Sequence, residues 1–159
     1  EAKLLAEASA AIKAPAAELA GRITQLQEDK KRLERQVAEL QKKLVMATAS
    51  EAEEINGTRS ILRNVGDVAA KELRPIATDL LKKLGSGVVA LISTAEQKTA
   101  IVVAVSDDQP QSAVELVRAG ATAAGGQGGG GNKAMAQAGG PSATQANAAL
   151  AAIKSALAG

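Results

Sequence analysis

The feature that most restricts the fold is a long heptad repeat in the first third of the chain. Apolar residues recur there at alternating intervals of three and four once Lys30 is counted in the series, over nearly four heptads. Such a repeat predicts a coiled-coil helix, in which a buried lysine at an a position can fix register and oligomeric state. The seam consists of Leu19, Ile23, Leu26, Lys30, Leu33, Val37, Leu40 and Leu44.

Three arrangements would bury this seam. A second copy of the chain could supply the partner helix, another part of a longer parent chain could supply it, or the helix could pack on its own domain. We expect self-association, because the repeat is long. Proline suits the first position of a helix, so the helix is expected to begin at Pro15 and to run to about Ala49, after a shorter helix over residues 1–13.

The composition excludes several kinds of active site. The chain of 159 residues contains no His, Cys, Phe, Tyr or Trp. Thiol nucleophiles, Ser-His-Asp triads, thiolate metal sites and disulfides are therefore excluded within it, and so are aromatic platforms for stacking bases. The chain has 19 basic and 17 acidic residues, so its net charge is only +2. Any RNA site must therefore come from local clustering of positive charge.

The first residue, the hydropathy and the cysteine content of the chain give three further expectations. The sequence begins with Glu1, and we expect it to be a fragment or a processed product. No apolar run approaches the roughly 20 residues that a membrane span needs. The absence of cysteine fits a reducing compartment, so the expected location is cytoplasmic, without a membrane partner.

The residues after position 50 predict a second kind of structure. Residues 58–65 are expected to form a strand, and the spacing of apolar residues over 73–84 predicts a helix, with Pro75 either in its first turn or at a kink. Two runs rich in β-branched residues, 87–94 and 99–105, predict a hairpin of buried strands.

The last third of the chain contains two capping boxes, Ser112-Ala113-Val114-Glu115 and Ser142-Ala143-Thr144-Gln145. They predict a helix to about Ala124 and a final helix, with a glycine-rich loop at 125–131 and a short strand at 133–138 between them. The whole pattern predicts an α+β fold. We expect a coiled-coil stalk over residues 1–50, followed by a small α/β globular domain over 51–159 with a mostly antiparallel or mixed sheet of about four strands.

The glycine-rich segment GGQGGGGNKAMAQAGG, residues 125–140, is the most conspicuous motif. It formally contains G-x-G-x-x-G and nearly matches a P-loop, but it follows a predicted helix and lacks the Lys-Ser/Thr pair, so both nucleotide motifs are disfavoured. A flexible linker and a ligand loop with open backbone N–H groups remain as alternatives.

This segment resembles the glycine-rich signature of the DHH-associated domain that ends bacterial alanyl-tRNA synthetases. That family has several glycines, Arg or Lys, Pro, Asp, Met or Phe, and then Ala-Gln-Ala-Gly-Gly; here Asn132-Lys133-Ala134 departs from the pattern, with the basic charge displaced onto Lys133. Residues 70–91 resemble the family's helix–strand junction, and Ile55-Asn56-Gly57 resembles its entry into the globular part. With the heptad helix as a stalk, the resemblance covers roughly residues 15–159.

The resemblance implies a non-catalytic, RNA-binding fragment of an ATP-dependent alanine–tRNA ligase, an enzyme of protein biosynthesis. The fragment would bind the elbow of tRNA-Ala, where the D and T loops meet, link aminoacylation with editing, and support oligomerisation. No cofactor is expected in it, and ATP, Mg and Zn are expected only in the rest of the parent chain. The alternatives are a purely structural coiled-coil oligomerisation module and the substrate-binding domain of a DHH-type phosphoesterase.

The resemblance also supplies candidate RNA contacts. Glycine N–H groups would meet phosphate or a base edge, Lys133 would supply charge, and Gln137 would donate or accept hydrogen bonds, unless it closes the glycine loop structurally. These contacts are Gly128, Gly129, Gly130, Gly131, Asn132, Lys133 and Gln137. Further basic candidates, for which ordinary solvated surface is the alternative, are Arg59, Arg63, Lys71, Arg74, Lys82 and Lys83.

Overall fold

The computed structural model describes residues 1–47 and 51–159. The chain divides into two compact units, Glu1–Leu40 and Gln41–Gly159. This division falls before the boundary at residue 50 that the sequence suggested, because the end of the long helix belongs to the second unit. There Val45 is buried in the globular core, and the side-chain amide of Gln41 donates a 2.7 Å hydrogen bond to the carbonyl of Asp67.

Helices form the N-terminal part of the chain. Helix α1 spans Ala2–Ile12, a 3-10 turn follows at Ala16–Glu18, and helix α2 spans Leu19–Ala47. Pro15 precedes the 3-10 turn in an extended conformation, so the long helix begins four residues later than expected. Its expected end near Ala49 lies outside the described residues.

The heptad seam is largely open on the single chain. Leu19 is buried, but the other apolar seam residues are exposed, from 43% for Ile23 to 71% for Leu44, and Lys30 is also exposed. α2 is therefore a continuous helix that carries an unpartnered apolar stripe within the described structure. A coiled coil requires a second helix on this stripe and stays a prediction.

The second unit is built on one mixed six-stranded sheet in the order β1-β2-β3-β4-β6-β5. Strands β2 and β3 are parallel, and all other neighbours are antiparallel. The strands are β1 Glu53–Ile55, β2 Thr58–Gly66, β3 Val88–Ser93, β4 Thr99–Val105, β5 Gly129–Gly131 and β6 Met135–Gly140. The helices of this unit, besides the end of α2, are α3 Ala70–Leu84, α4 Ala113–Ala123 and α5 Ala146–Ala158.

The expectation of about four strands was wrong. The two strands that the sequence did not reveal, β1 and β5, have three residues each, which is too short for a recognisable alternation of apolar and polar positions. β5 also consists only of glycine, which is depleted in strands. Part of the expected loop 125–131 is therefore an edge strand paired with β6.

Helices cover both faces of the central part of the sheet. Along β3, Val88, Ala90 and Ile92 belong to the core cluster that contains residues of α4 and α5, whereas Val89 and Leu91 belong to the cluster that contains residues of α3. Because both faces are covered, every residue of β3 is buried, which accounts for its unbroken apolar sequence. The hairpin predicted over 87–105 is present as β3 and β4.

The helix starts of this unit differ from the capping-box pattern. Ser112 occupies the N-cap of α4, but its side chain makes no capping hydrogen bond; instead the backbone N–H of Ala113 donates to the carbonyl of Lys133 at 2.9 Å. The Ser142 hydroxyl accepts from the N–H of Thr144 and opens a 3-10 turn that leads into α5. Pro75 is the sixth residue of α3, which begins earlier than expected. None of the described helices is both long enough and apolar enough to span a bilayer.

Candidate nucleic-acid interface

A groove of about 750 Å³ opens on the α3 side of the sheet, between the start of α3 and the glycine edge strand. α3 packs on β3 and β4, so the β6 and β5 end of this face stays open. The first turns of α3 form one wall, residues 128–131 form the other, and Ala100, Val102 and Gln137 lie between them. The fold therefore brings residues 70–74 and residues 128–137 together, although they are far apart in sequence.

The α3 wall carries the positive charge of the groove. Lys71 and Arg74 both line it and are exposed. They lie three residues apart, which places them on one face of the helix. Ala69 at the N-cap provides no side-chain hydrogen bond, and Glu72 in the first turn offsets the partial positive charge of the helix N-terminus. The positive charge of this wall therefore comes from the two cationic side chains. No acidic residue is among the described residues that line the groove.

The glycine wall combines two kinds of glycine. A Cβ on Gly129 would lie 2.5 Å from the carbonyl oxygen of Gln137, and one on Gly131 would lie 2.3 Å from that of Met135. Gly131 also has a φ of +148°, a conformation that L side chains rarely adopt. These two positions need glycine so that β5 can pair closely with β6. A Cβ on Gly130 would meet nothing within 4 Å, so packing leaves that position free, and its missing side chain keeps the groove open.

Gln137 is the polar side chain of the groove floor. It lies in register with Val102 of β4 and Gly130 of β5. Its neighbours Ala136 and Ala138 pack into the core on the α4 and α5 side, so alternation along β6 turns Gln137 toward the groove. Within residues 1–47 and 51–159, no hydrogen bond engages its side-chain amide, so this side chain does not close the glycine loop.

Asn132 and Lys133 lie in the turn between β5 and β6 and do not line the groove. The Oδ1 atom of Asn132 accepts hydrogen bonds from the N–H groups of Ala134 at 3.0 Å and Met135 at 2.9 Å. Asn132 is therefore a turn-forming residue. The side chain of Lys133 is exposed, and its role as an RNA contact stays a prediction.

The other four basic candidates lie outside the groove. Arg59 donates to the carbonyl of Leu84 at 3.3 Å, and Lys83 donates to the carbonyl of Met46 at 3.2 Å. Arg63 forms an ion pair with Glu51. Lys82 is exposed and lies in the last turn of α3. Lys82 also interacts electrostatically with the carboxylate of Asp79. All four thus have partners within the protein, and the groove gathers only Lys71 and Arg74 from the set of six.

Titratable groups with shifted pKa values lie away from the groove. A hydrogen bond from Lys42 holds the pKa of Asp79 below its ordinary value, and the hydroxyl groups of Ser106 and Ser86 lower the pKa of Asp108. Both interactions stabilise the charged carboxylate in structural contacts. In the part of the chain that the structure describes, no three acidic side chains converge as a metal site would require.

The sequence indicated Gln137 on the floor of this groove, but not the apolar residues beside it. Ala100 and Val102 belong to an apolar strand and carry no polar signal, so only the tertiary structure assigns them to the site. The spacing of Lys71 and Arg74 puts both on one helix face, but nothing in the sequence indicates that this helix begins beside the glycine segment.

Comparison with known proteins identifies the family. The DHHA1 domain matches residues 57–159. The chain is 46% identical over 157 residues to the alanine–tRNA ligase of Granulibacter bethesdensis. The aligned region covers 97% of this chain and 18% of that protein. It is 44% identical to the alanine–tRNA ligase of Paramagnetospirillum magneticum, over 98% of this chain and 18% of that protein. The chain thus spans about a fifth of the length of these curated relatives.

Solved structures agree with this match. The C-Ala domain from Aquifex aeolicus alanyl-tRNA synthetase superposes with a TM-score of 0.63 at 27% identity, over 69% of this chain and 99% of that one. RecJ from Thermus thermophilus superposes with a TM-score of 0.57 at 20% identity, over 91% of this chain and 20% of that one, which is a likeness of fold alone. The chain belongs to the DHHA1 domain family and corresponds to the C-terminal region of alanyl-tRNA synthetases.

Proposed function

We propose that this chain is the non-catalytic tRNA-binding module of an alanyl-tRNA synthetase. It holds the elbow of tRNA-Ala and so links the aminoacylation and editing centres, which lie in the rest of the parent protein together with the sites for ATP, Mg and Zn. The observation that carries the proposal is the groove in which the glycine signature faces Lys71 and Arg74. The names of the relatives and of the Aquifex domain support the same assignment.

The chemistry of the groove suits RNA. Phosphate contacts supply much of the affinity of proteins for nucleic acids, and the two cations of α3 face no acidic residue among the described residues lining the groove. The chain has no aromatic residues, so base stacking on aromatic rings, a common device for unpaired RNA, is not available. Recognition must then rest on shape, on charge and on hydrogen bonds from the backbone and Gln137.

The heptad seam supports the second part of the proposal, self-association through α2. Ile23, Leu26, Leu33, Val37, Leu40 and Leu44 are all exposed. An apolar stripe of this length, interrupted by Lys30, is covered in stable proteins, and the a/d spacing fits a second copy of the same helix. Oligomerisation would bring two RNA-binding grooves into one assembly.

Binding to tRNA can be tested by fluorescence anisotropy with labelled tRNA-Ala at about 50 to 200 mM salt. We expect binding that weakens steeply as salt rises. Gly130→Leu should weaken it, because the new side chain would enter the groove, whereas Gly21→Leu should not. A Cβ at either glycine meets nothing within 4 Å, so Gly21, in α2, is a matched control. Absence of salt-dependent binding by the wild-type chain would contradict the proposal.

A further inference from the structure

The two walls of the groove differ in charge, and this difference indicates which part of the RNA each wall binds. The inference rests on the proposed function. We propose that the groove takes one RNA strand, with neighbouring phosphates against Lys71 and Arg74 on α3 and the sugar or base edges toward β5 and Gln137. The inference goes beyond tRNA binding as such, because it states which wall reads which part of the nucleotide.

The first step is the distribution of charge. Every cation that lines the groove lies on the α3 wall, and residues 128–131 on the opposite wall are all glycine. A stem bound across the groove would present phosphates of two strands to the two walls, and only one wall could neutralise them. A single strand presents its phosphates along one side, which matches this arrangement.

The second step is the spacing of the cations. Lys71 and Arg74 are three residues apart in α3, so their Cα atoms are separated by about 4.5 Å along the helix axis. Phosphates of one strand recur about every 3.4 Å along the axis of double-stranded DNA, which gives the order of magnitude of the spacing between neighbouring phosphates in a nucleic-acid strand. Two long, flexible cationic side chains at this spacing can therefore reach adjacent phosphates of one strand.

The third step is the chemistry of the other wall. The amide of Gln137 offers both donors and an acceptor, and the backbone beside Gly130 is uncovered because no side chain shields it. Neither group carries a charge, so this wall suits hydroxyl groups and base edges better than phosphates. Ala100 and Val102 give the floor an apolar surface between the two walls.

The salt dependence of binding tests the phosphate wall. Neutralising two phosphates of a single strand contributes about 1.4 to the slope of log Kobs against log salt, or about a 7-fold change in affinity between 50 and 200 mM. We expect Lys71→Gln combined with Arg74→Gln to reduce the slope by this amount. Lys98→Gln combined with Arg118→Gln also removes one lysine and one arginine, from exposed positions outside the groove. This control should leave the slope near that of the wild type.

Gln137→Ala tests the neutral wall. It should weaken tRNA-Ala binding by about 2- to 10-fold, the size of a lost hydrogen bond, with the salt slope unchanged.

The single variants Lys71→Gln and Arg74→Gln test the phosphate wall should the double variant unfold. Each should show half the change in salt slope.

Ethylation interference on tRNA-Ala then identifies the phosphates. Some phosphates should interfere with binding of the wild type but not with binding of the double variant Lys71→Gln and Arg74→Gln. We expect these phosphates to be neighbours on one strand. Lost sites on two strands, or a slope equal to that of the control variant, would overturn the inference while tRNA binding itself stands. A wild-type chain that does not bind tRNA-Ala would overturn the proposed function and, with it, this inference.

Discussion

Gln137 on β6 lies directly opposite Gly130 on β5, and of this pair only Gln137 has a side chain to place in the groove. The pairing puts a free amide next to an uncovered stretch of backbone. A larger residue at position 130 would fill this space without disturbing the sheet, because a Cβ there meets nothing within 4 Å. Packing therefore explains some glycines of the signature, and the open groove accounts for this one.

This distinction predicts a difference in stability between two adjacent substitutions. Gly131→Ala should lower the free energy of unfolding by about 1 to 3 kcal/mol, because the Cβ would meet Met135 and Ala136 and the backbone conformation is unfavourable for alanine. Gly130→Ala should change it by less than about 0.5 kcal/mol. Urea unfolding of the two variants measures both values. Equal destabilisation would show that Gly130 is also required by packing.

A second stability prediction concerns the contact between α4 and α5. A Cβ on Gly120 would lie 2.8 Å from Cδ1 of Ile153, and Ile153 is fully buried. Gly120→Ala should therefore destabilise the fold through overpacking by about 1 to 3 kcal/mol, offset in part by the better helix propensity of alanine. Ile153→Val removes Cδ1, so Gly120→Ala should cost at least about 0.5 kcal/mol less in that background.

Unfolding of the wild type, the two single variants and the double variant completes this thermodynamic cycle. Additive effects would mean that the contact with Cδ1 of Ile153 does not limit how the new methyl group is accommodated, since a Cβ on Gly120 would also meet Cγ1 of Ile153 and Cδ1 of Ile101. Gly120→Ala combined with Lys98→Gln is a control pair, for which additivity is expected because Lys98 is exposed in the loop before β4.

The sequence predicted the elements whose pattern extends over many residues. The α2 helix has an apolar repeat of nearly four heptads, and β3 and β4 are runs of six and seven residues rich in β-branched side chains. The strand of three glycines had no such pattern, because its conformation follows from pairing with β6 and from the lack of side chains. Local sequence therefore indicated a loop where the fold has an edge strand.

The candidate site was predictable only in part. The glycine signature identified one wall, and the resemblance to the family identified Gln137. The sequence could not separate Lys71 and Arg74 from Arg59 and Lys83. That separation depends on which carbonyl groups the tertiary structure brings near each cation, such as the Leu84 carbonyl beside Arg59.

The exposed seam of α2 predicts a change in oligomeric state. Leu33→Ala combined with Leu40→Ala should dissociate the proposed oligomer, because both leucines occupy d positions and their removal takes apolar area from the proposed interface. Both are exposed on the single chain, at 55% and 65%, so their loss should not disturb the fold. Sedimentation velocity over a range of concentrations measures the result.

Glu28→Ala combined with Arg35→Ala is the matched control for the seam. These two residues occupy f positions of the heptad register, and replacing both leaves the net charge of the chain unchanged. The control should associate like the wild type. A wild-type chain that is monomeric at every concentration would exclude self-association through α2.

The contact between Lys42 and Asp79 predicts how stability depends on pH. The hydrogen bond from Lys42, which also forms an ion pair with the carboxylate, lowers the pKa of Asp79 below its ordinary value. Because the pKa of Asp79 is lower in the folded than in the unfolded chain, the carboxylate contributes its full stabilisation above the pKa of the unfolded chain. This stabilisation is lost as pH falls through the pKa of the folded chain. This contact should therefore stabilise the fold at neutral pH and cease to do so in the acidic range below about pH 4.

Asp79→Asn tests this prediction through urea unfolding between about pH 3 and pH 7. The difference in unfolding free energy between wild type and variant should be constant above about pH 5 and should shrink as pH falls below about 4, because the protonated aspartic acid and the amide are then both uncharged. Asp107→Asn is a suitable control, since Asp107 is exposed in the loop after β4 and forms no ion pair among the described residues. A difference for Asp79→Asn that does not vary with pH would show that the Lys42 contact does not act through the charge of the carboxylate.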